Sequence, residues 1–122
     1  KYSSKQVHLK KMIEQMSTEA VSEVEEKIIG TIFKEVKLEK DMPKLTTKQE
    51  LDAFQSPVLI FTGDHDVFFP SEKVIPKATE IFRNLDYIHE FKNSKHFPKD
   101  TDRDEMNRII LKFLTPFVER TI

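Results

Sequence analysis

An α/β fold is expected from this sequence: a βαβα arrangement with two parallel strands, preceded by amphipathic helices. Three observations predict it. Apolar residues recur at helical spacing from Lys5 to Phe33, and Pro57 to Phe61 is a short continuous apolar run that ends at Thr62-Gly63. A helix-patterned stretch and a second strand-like stretch then follow within roughly thirty residues, the size of a βαβ unit.

In the first stretch Leu9, Met12, Ile13, Met16, Ala20, Val24, Ile28 and Ile32 fall three and four residues apart, with Lys and Glu on the other faces. Ser17 or Thr18 is a candidate cap for a second helix starting near Glu19, which would divide the stretch into an amphipathic pair. The mixed charges of the polar face argue against a membrane-surface helix. Val36 to Asp52 reads as a connector, broken at Met42-Pro43-Lys44 because proline lacks the N–H a helix needs. Thr46 or Thr47 is a candidate cap for a short helical turn, with Glu50 three residues after Thr47 in a capping-box pattern.

Pro57 to Phe61 suits a parallel strand buried on both faces. Ser71 to Arg83 places Val74, Ala78, Ile81 and Phe82 on one helical face, with Pro76 assigned to irregular first turns. Tyr87 to Phe91 is the second strand, parallel to the first through a right-handed crossover. A last helix opens at Asp102 or Asp104, with Met106, Ile109, Ile110, Phe113, Leu114, Phe117 and Val118 as its apolar stripe. The chain divides into residues 1–49, helical with a connector, and residues 50–122, the βαβα portion.

Composition narrows the function. Among 122 residues, 38% are hydrophobic and 34% charged, which suits one globular unit. The 20 basic and 21 acidic residues leave a net charge of −1, with no case for nucleic-acid binding. Cysteine is absent, which removes disulfides and thiolate metal sites. No apolar run approaches a membrane span, and no signal-peptide pattern opens the chain. Nothing points to secretion, so the cytoplasm is the expected compartment. Lys1 opens inside a charged helical pattern, and the chain reads as a piece of something longer.

The chemistry gathers in two loops, each just past the carboxyl end of a strand, where open parallel sheets keep their functional residues. Gly63-Asp64-His65-Asp66-Val67-Phe68-Phe69-Pro70 follows the first strand, and Asn93-Ser94-Lys95-His96-Phe97-Pro98 follows the second. Parallel neighbours would open both loops on one edge of the sheet, where a carboxylate and an imidazole can meet. Such a pair fixes the ring tautomer and stabilises the imidazolium formed on proton uptake. Asp64, His65 and Asp66 are adjacent in sequence and so do not aim at one metal centre; neither a metal nor a cofactor is expected. His65 is read as a partly exposed polar residue, and His8 and His89 as solvent or interface residues.

The segment Pro57 to Pro70 resembles the penultimate strand and acid loop of the α/β-hydrolases: proline, a hydrophobic run, Gly-x-x-Asp, and a proline shortly after. Phe91 to Pro98 is similar to that family's histidine loop, and Ile109-Ile110-Leu111-Lys112-Phe113-Leu114 to its closing helix. The resemblance covers roughly Glu50 to Val118 and implies the C-terminal part of a hydrolase fold. Asp66 then falls on the triad acid and His96 on the triad base. Lys95 departs from the family pattern, which usually has glycine there. Phe68, Phe69 and Phe97 would line an acyl pocket or serve plain packing. By position, residues 1–49 would be the end of a cap or lid.

The nucleophile is missing. Gly-x-Ser-x-Gly needs two flanking glycines, and Gly30 and Gly63 are too far apart to supply them. Ser3, Ser4, Ser17, Ser22, Ser56, Ser71 and Ser94 all lack that context. The resemblance therefore implies a C-terminal piece of a serine hydrolase, esterase- or lipase-like, for a small acyl or ester substrate, and inactive alone. An aspartate nucleophile elsewhere, as in dehalogenases and epoxide hydrolases, stays open. So does a non-catalytic binding or interaction domain on the same fold. A strand apolar on both faces with one neighbour would leave an open edge, so self-association or pairing with a missing N-terminal half is expected.

Overall fold

The computed structural model describes residues 2–36 and 44–119. Helices α1 (Tyr2–Met16) and α2 (Glu23–Glu35) precede β1 (Val58–Gly63), α3 (Ser71–Ile81), β2 (Leu85–Phe91) and α4 (Asp100–Glu119). The α/β class stands: β1 and β2 form a two-stranded parallel sheet, with α3 as the crossover and helices packed on it. Register runs from Leu59 opposite Tyr87 to Gly63 opposite Phe91, after an irregular step at Val58. That register brings both strands to their carboxyl ends at the same level, which fixes where the two loops begin. The expected break at Met42-Pro43 lies outside the described residues.

The first helical stretch divides, but not where Ser17 and Thr18 suggested. Helix α2 starts after Ser22, whose Oγ accepts Glu25 N–H at 3.2 Å while Glu25 Oε2 accepts Ser22 N–H at 2.9 Å. Ser17 and Thr18 are unavailable as caps because they are engaged with Phe97. Gly30 lets α2 close on α1, since a Cβ there would meet Leu9 Cδ2 at 3.1 Å. The Thr47–Glu50 box forms, with Thr47 N–H donating to Glu50 Oε2 at 2.9 Å.

Other expectations need correction too. Pro76 sits at the sixth position of α3, in its second turn, where the helix is regular rather than irregular. A proline there removes one helical hydrogen bond, and the burial of Ser71 and Ala78 holds the helix through it. Helix α4 begins at Asp100 rather than Asp102 or Asp104, because Lys99 O accepts the amides of Asp102 and Arg103 and Glu19 Oε2 accepts that of Asp100. Val58 to Phe61 are half-buried, not enclosed on both faces. Two strands cannot cover one another's faces, and the helices cover them in part.

Among the described residues the buried apolar side chains are Ile13, Met16, Ala78 and Phe91. Beside them lie Ser17, Thr62, Ser71 and Ser94, also buried. Ser71 Oγ donates to Thr62 Oγ1 at 3.0 Å and so ties the start of α3 to β1. Burial is thus densest at the carboxyl edge of the sheet, under the two loops.

Candidate active site

The two loops are stapled together before either presents a functional side chain. Asp64 N–H donates to Phe91 O at 3.2 Å, and His65 N–H to Ser94 O at 2.9 Å. In return Ser94 N–H donates to Asp64 Oδ1 at 3.1 Å. This crossing needs glycine at position 63, where a Cβ would stand 2.5 Å from Ser94 O. Asn93 takes the left-handed conformation, φ 52°, that turns the chain back after β2.

Asp66 and His96 meet across that crossing. His96 Nδ1 lies 3.0 Å from Asp66 Oδ2. The other carboxylate oxygen, Oδ1, accepts Phe68 N–H at 2.8 Å and Phe69 N–H at 3.1 Å. The backbone of the acid loop therefore holds the carboxylate in one orientation, and the carboxylate holds the ring. The Asp66 side chain is 10% exposed and that of His96 32%. Burial pushes the Asp66 carboxyl up, but the hydrogen bond from His96 and the Phe69 and Phe68 amides outweigh it, and the net shift is downward. Asp66 is thus an anion that accepts from Nδ1. Among the described residues the ring's hydrogen bonds are confined to Nδ1, which leaves the Nε2 lone pair to take a proton.

Three phenyl rings surround the imidazole. Phe68 and Phe97 meet it edge-on at 5.2 Å and 5.3 Å between centroids, and Phe69 lies tilted to it at 6.0 Å. Phe69 also lines a depression of about 370 Å³ with Phe61, Val74, Phe91, Met106 and His96. Phe68 and Phe97 touch the ring without lining that depression. Thr62, Ser94 and Lys95 line the depression too, so the wall beside the acid–base pair is mostly, not wholly, apolar.

Asp64 pairs instead with His65, Oδ1 to Nδ1 at 2.7 Å. The His65 hydrogen bond, with the Ser94 and Asn93 amides, holds the Asp64 carboxyl at about 2 against the effect of burial. Its work is to staple the loops. Among the described residues no group of three His, Asp or Glu side chains is placed to hold a metal ion, and no helix is long and apolar enough to cross a membrane. His8 is exposed. His89, expected at solvent or an interface, lies 4.4 Å from Phe91 between ring centroids and 3.2 Å from the Tyr87 hydroxyl.

Among the described residues no serine hydroxyl bonds to Nε2. Ser94 Oγ donates to Lys95 O at 3.5 Å and Ser71 Oγ to Thr62. Ser17 Oγ is buried and unpartnered among the described residues, but Ser17 shares its bridge with Phe97. Among the described residues no hydrogen bond joins Ser17 Oγ to His96.

Sequence reasoning missed Thr18 and Lys95. Thr18 Oγ1 accepts Lys95 N–H at 3.0 Å and donates to Phe97 O at 2.8 Å. Lys95, where the resemblance called for glycine, sends Nζ to Glu14 O at 2.8 Å. No protein family, curated protein or solved structure matches the chain.

Proposed function

We propose that Asp66 and His96 are the acid and base of a serine hydrolase of the α/β-hydrolase type, esterase- or lipase-like, acting on a small acyl or ester substrate. The observation that carries this reading is the Asp66 carboxylate, locked by two backbone amides and accepting from His96 Nδ1 at 3.0 Å. In this reading a serine from a segment outside these 122 residues attacks the ester carbonyl. His96 Nε2 takes the hydroxyl proton and gives it to the leaving alcohol. Water then releases the acyl group by the same exchange. Asp66 keeps the proton of the neutral ring on Nδ1 and stabilises the imidazolium. Phe69 and its apolar neighbours receive the acyl chain.

The test is hydrolysis of a p-nitrophenyl ester by the polypeptide that joins these residues to their serine. Asp66→Asn presents an amide N–H₂ to Nδ1, forces the wrong tautomer and lowers kcat by about 10⁴. An unchanged kcat in Asp66→Asn or His96→Ala overturns the assignment. A second reading, a non-catalytic binding domain on the same fold, is favoured by the exposure of Phe68 and Phe69, 50% and 62%. It predicts no ester turnover and a partner whose binding survives His96→Ala but not Phe69→Ala.

A further inference from the structure

We infer that Thr18 is a positioning residue for His96, a clamp laid on the histidine loop by the segment that follows α1. The inference rests on the reading of His96 as general base. Upstream of His96 the loop is anchored at Ser94 by the acid loop. Downstream, at Phe97, the backbone hydrogen bonds among the described residues come from a different part of the chain. Phe97 N–H donates to Met16 O at 2.7 Å, and Phe97 O accepts Thr18 N–H at 3.0 Å and the Thr18 hydroxyl at 2.8 Å.

The same hydroxyl accepts Lys95 N–H at 3.0 Å, so one side chain brackets His96 at the residue before and the residue after. Lys95 strengthens the join: its ammonium reaches Glu14 O at the carboxyl end of α1, where the helix dipole favours a cation. A glycine at position 95 would forfeit that tether. The imidazole is thus held by Asp66 through the ring and by Thr18 through the backbone on either side. Loss of the clamp frees the backbone to rotate the ring away from Asp66, and the proton then moves to Nε2, where it blocks the base.

Long-range ¹⁵N–¹H correlation of the His96 ring in the 122-residue chain reads the tautomer directly. The parent shows neutral His96 protonated on Nδ1. Thr18→Val, which keeps the shape and removes the hydroxyl, lowers the Nδ1–H to Nε2–H ratio about tenfold, the scale of one lost hydrogen bond. Thr18→Ser restores it. A folded Thr18→Val chain with the parent ratio overturns the clamp and leaves the dyad intact, whereas a parent chain protonated on Nε2 overturns both. Should Thr18→Val fail to fold, amide exchange in the parent decides. The clamp requires the Thr18, Lys95 and Phe97 amides to be protected alongside the His96 Nδ1 proton, and free exchange of those amides beside a protected ring proton overturns it.

Discussion

Gly63→Ala should separate the two functional loops. An ordinary contact begins at 3.4 Å, and the new Cβ would stand 2.5 Å from Ser94 O, so one backbone must retreat by about 0.9 Å. The same Cβ would lie 3.1 Å from Lys95 O and from Ser94 C, so sliding past one atom runs into the next. None of these atoms is the end of a flexible side chain. Overpacking of this kind costs about 1–3 kcal/mol. The backbone angle of Gly63 adds nothing to the cost, because no glycine has positive φ. A shift of that size passed along the loop to His96 stretches its 3.0 Å bond to Asp66 past hydrogen-bonding range. Urea denaturation of both chains measures the first effect, as a midpoint lowered by about 1 M. The ring ¹⁵N shifts of His96 measure the second. A Gly63→Ala chain within about 0.5 kcal/mol of the parent, with His96 shifts unmoved, would refute the close crossing of the loops.

Three further outcomes follow from the same structure. Ser22→Ala removes the cap of α2 and one half of its reciprocal box with Glu25. It should cost about 1 kcal/mol in urea unfolding, and an unchanged midpoint would contradict the cap. The Asp64 carboxyl is lowered from its ordinary 3.8 to about 2, first by His65. Its contribution is therefore present above pH 3.8 and lost as pH falls toward 2, and Asp64→Asn should flatten the urea midpoint over that range. A slope unchanged by the substitution would contradict this. Val24, Ile28 and Ile32 form a helical stripe 67%, 55% and 51% exposed, and each strand has one neighbour among the described residues. Both favour self-association; light scattering at high concentration should find species above 14.4 kDa, and a monodisperse monomer would contradict it.

The meeting of Asp66 with His96 was legible because it needs little beyond chain order. Two apolar runs about one βαβ unit apart predict parallel neighbours, and whatever follows each run then shares an edge. Asp66 and His96 are drawn together by that topology alone. Thr18 was not legible. Its contact spans 79 residues, and its hydroxyl bonds there to backbone groups, which carry no sequence pattern. Ser17 and Thr18 looked like caps because hydroxyl residues satisfy orphan amides equally well in either role. The signal that chose Ser22 was present as Glu25 three residues on, and the bond to Phe97 settled the competition. Pro76 misled for the converse reason: a local penalty was overridden by the burial of Ala78 and Ser71, which only the tertiary structure supplies.

Fluorophosphonate labelling of the polypeptide that carries its serine with these residues, mapped by peptide mass and repeated in His96→Ala, tests the proposed hydrolase most directly. The Asp66–His96 pair predicts one adduct, on a serine outside these 122 residues, abolished or strongly slowed in the variant. No adduct, or an adduct formed at the same rate without His96, would contradict it.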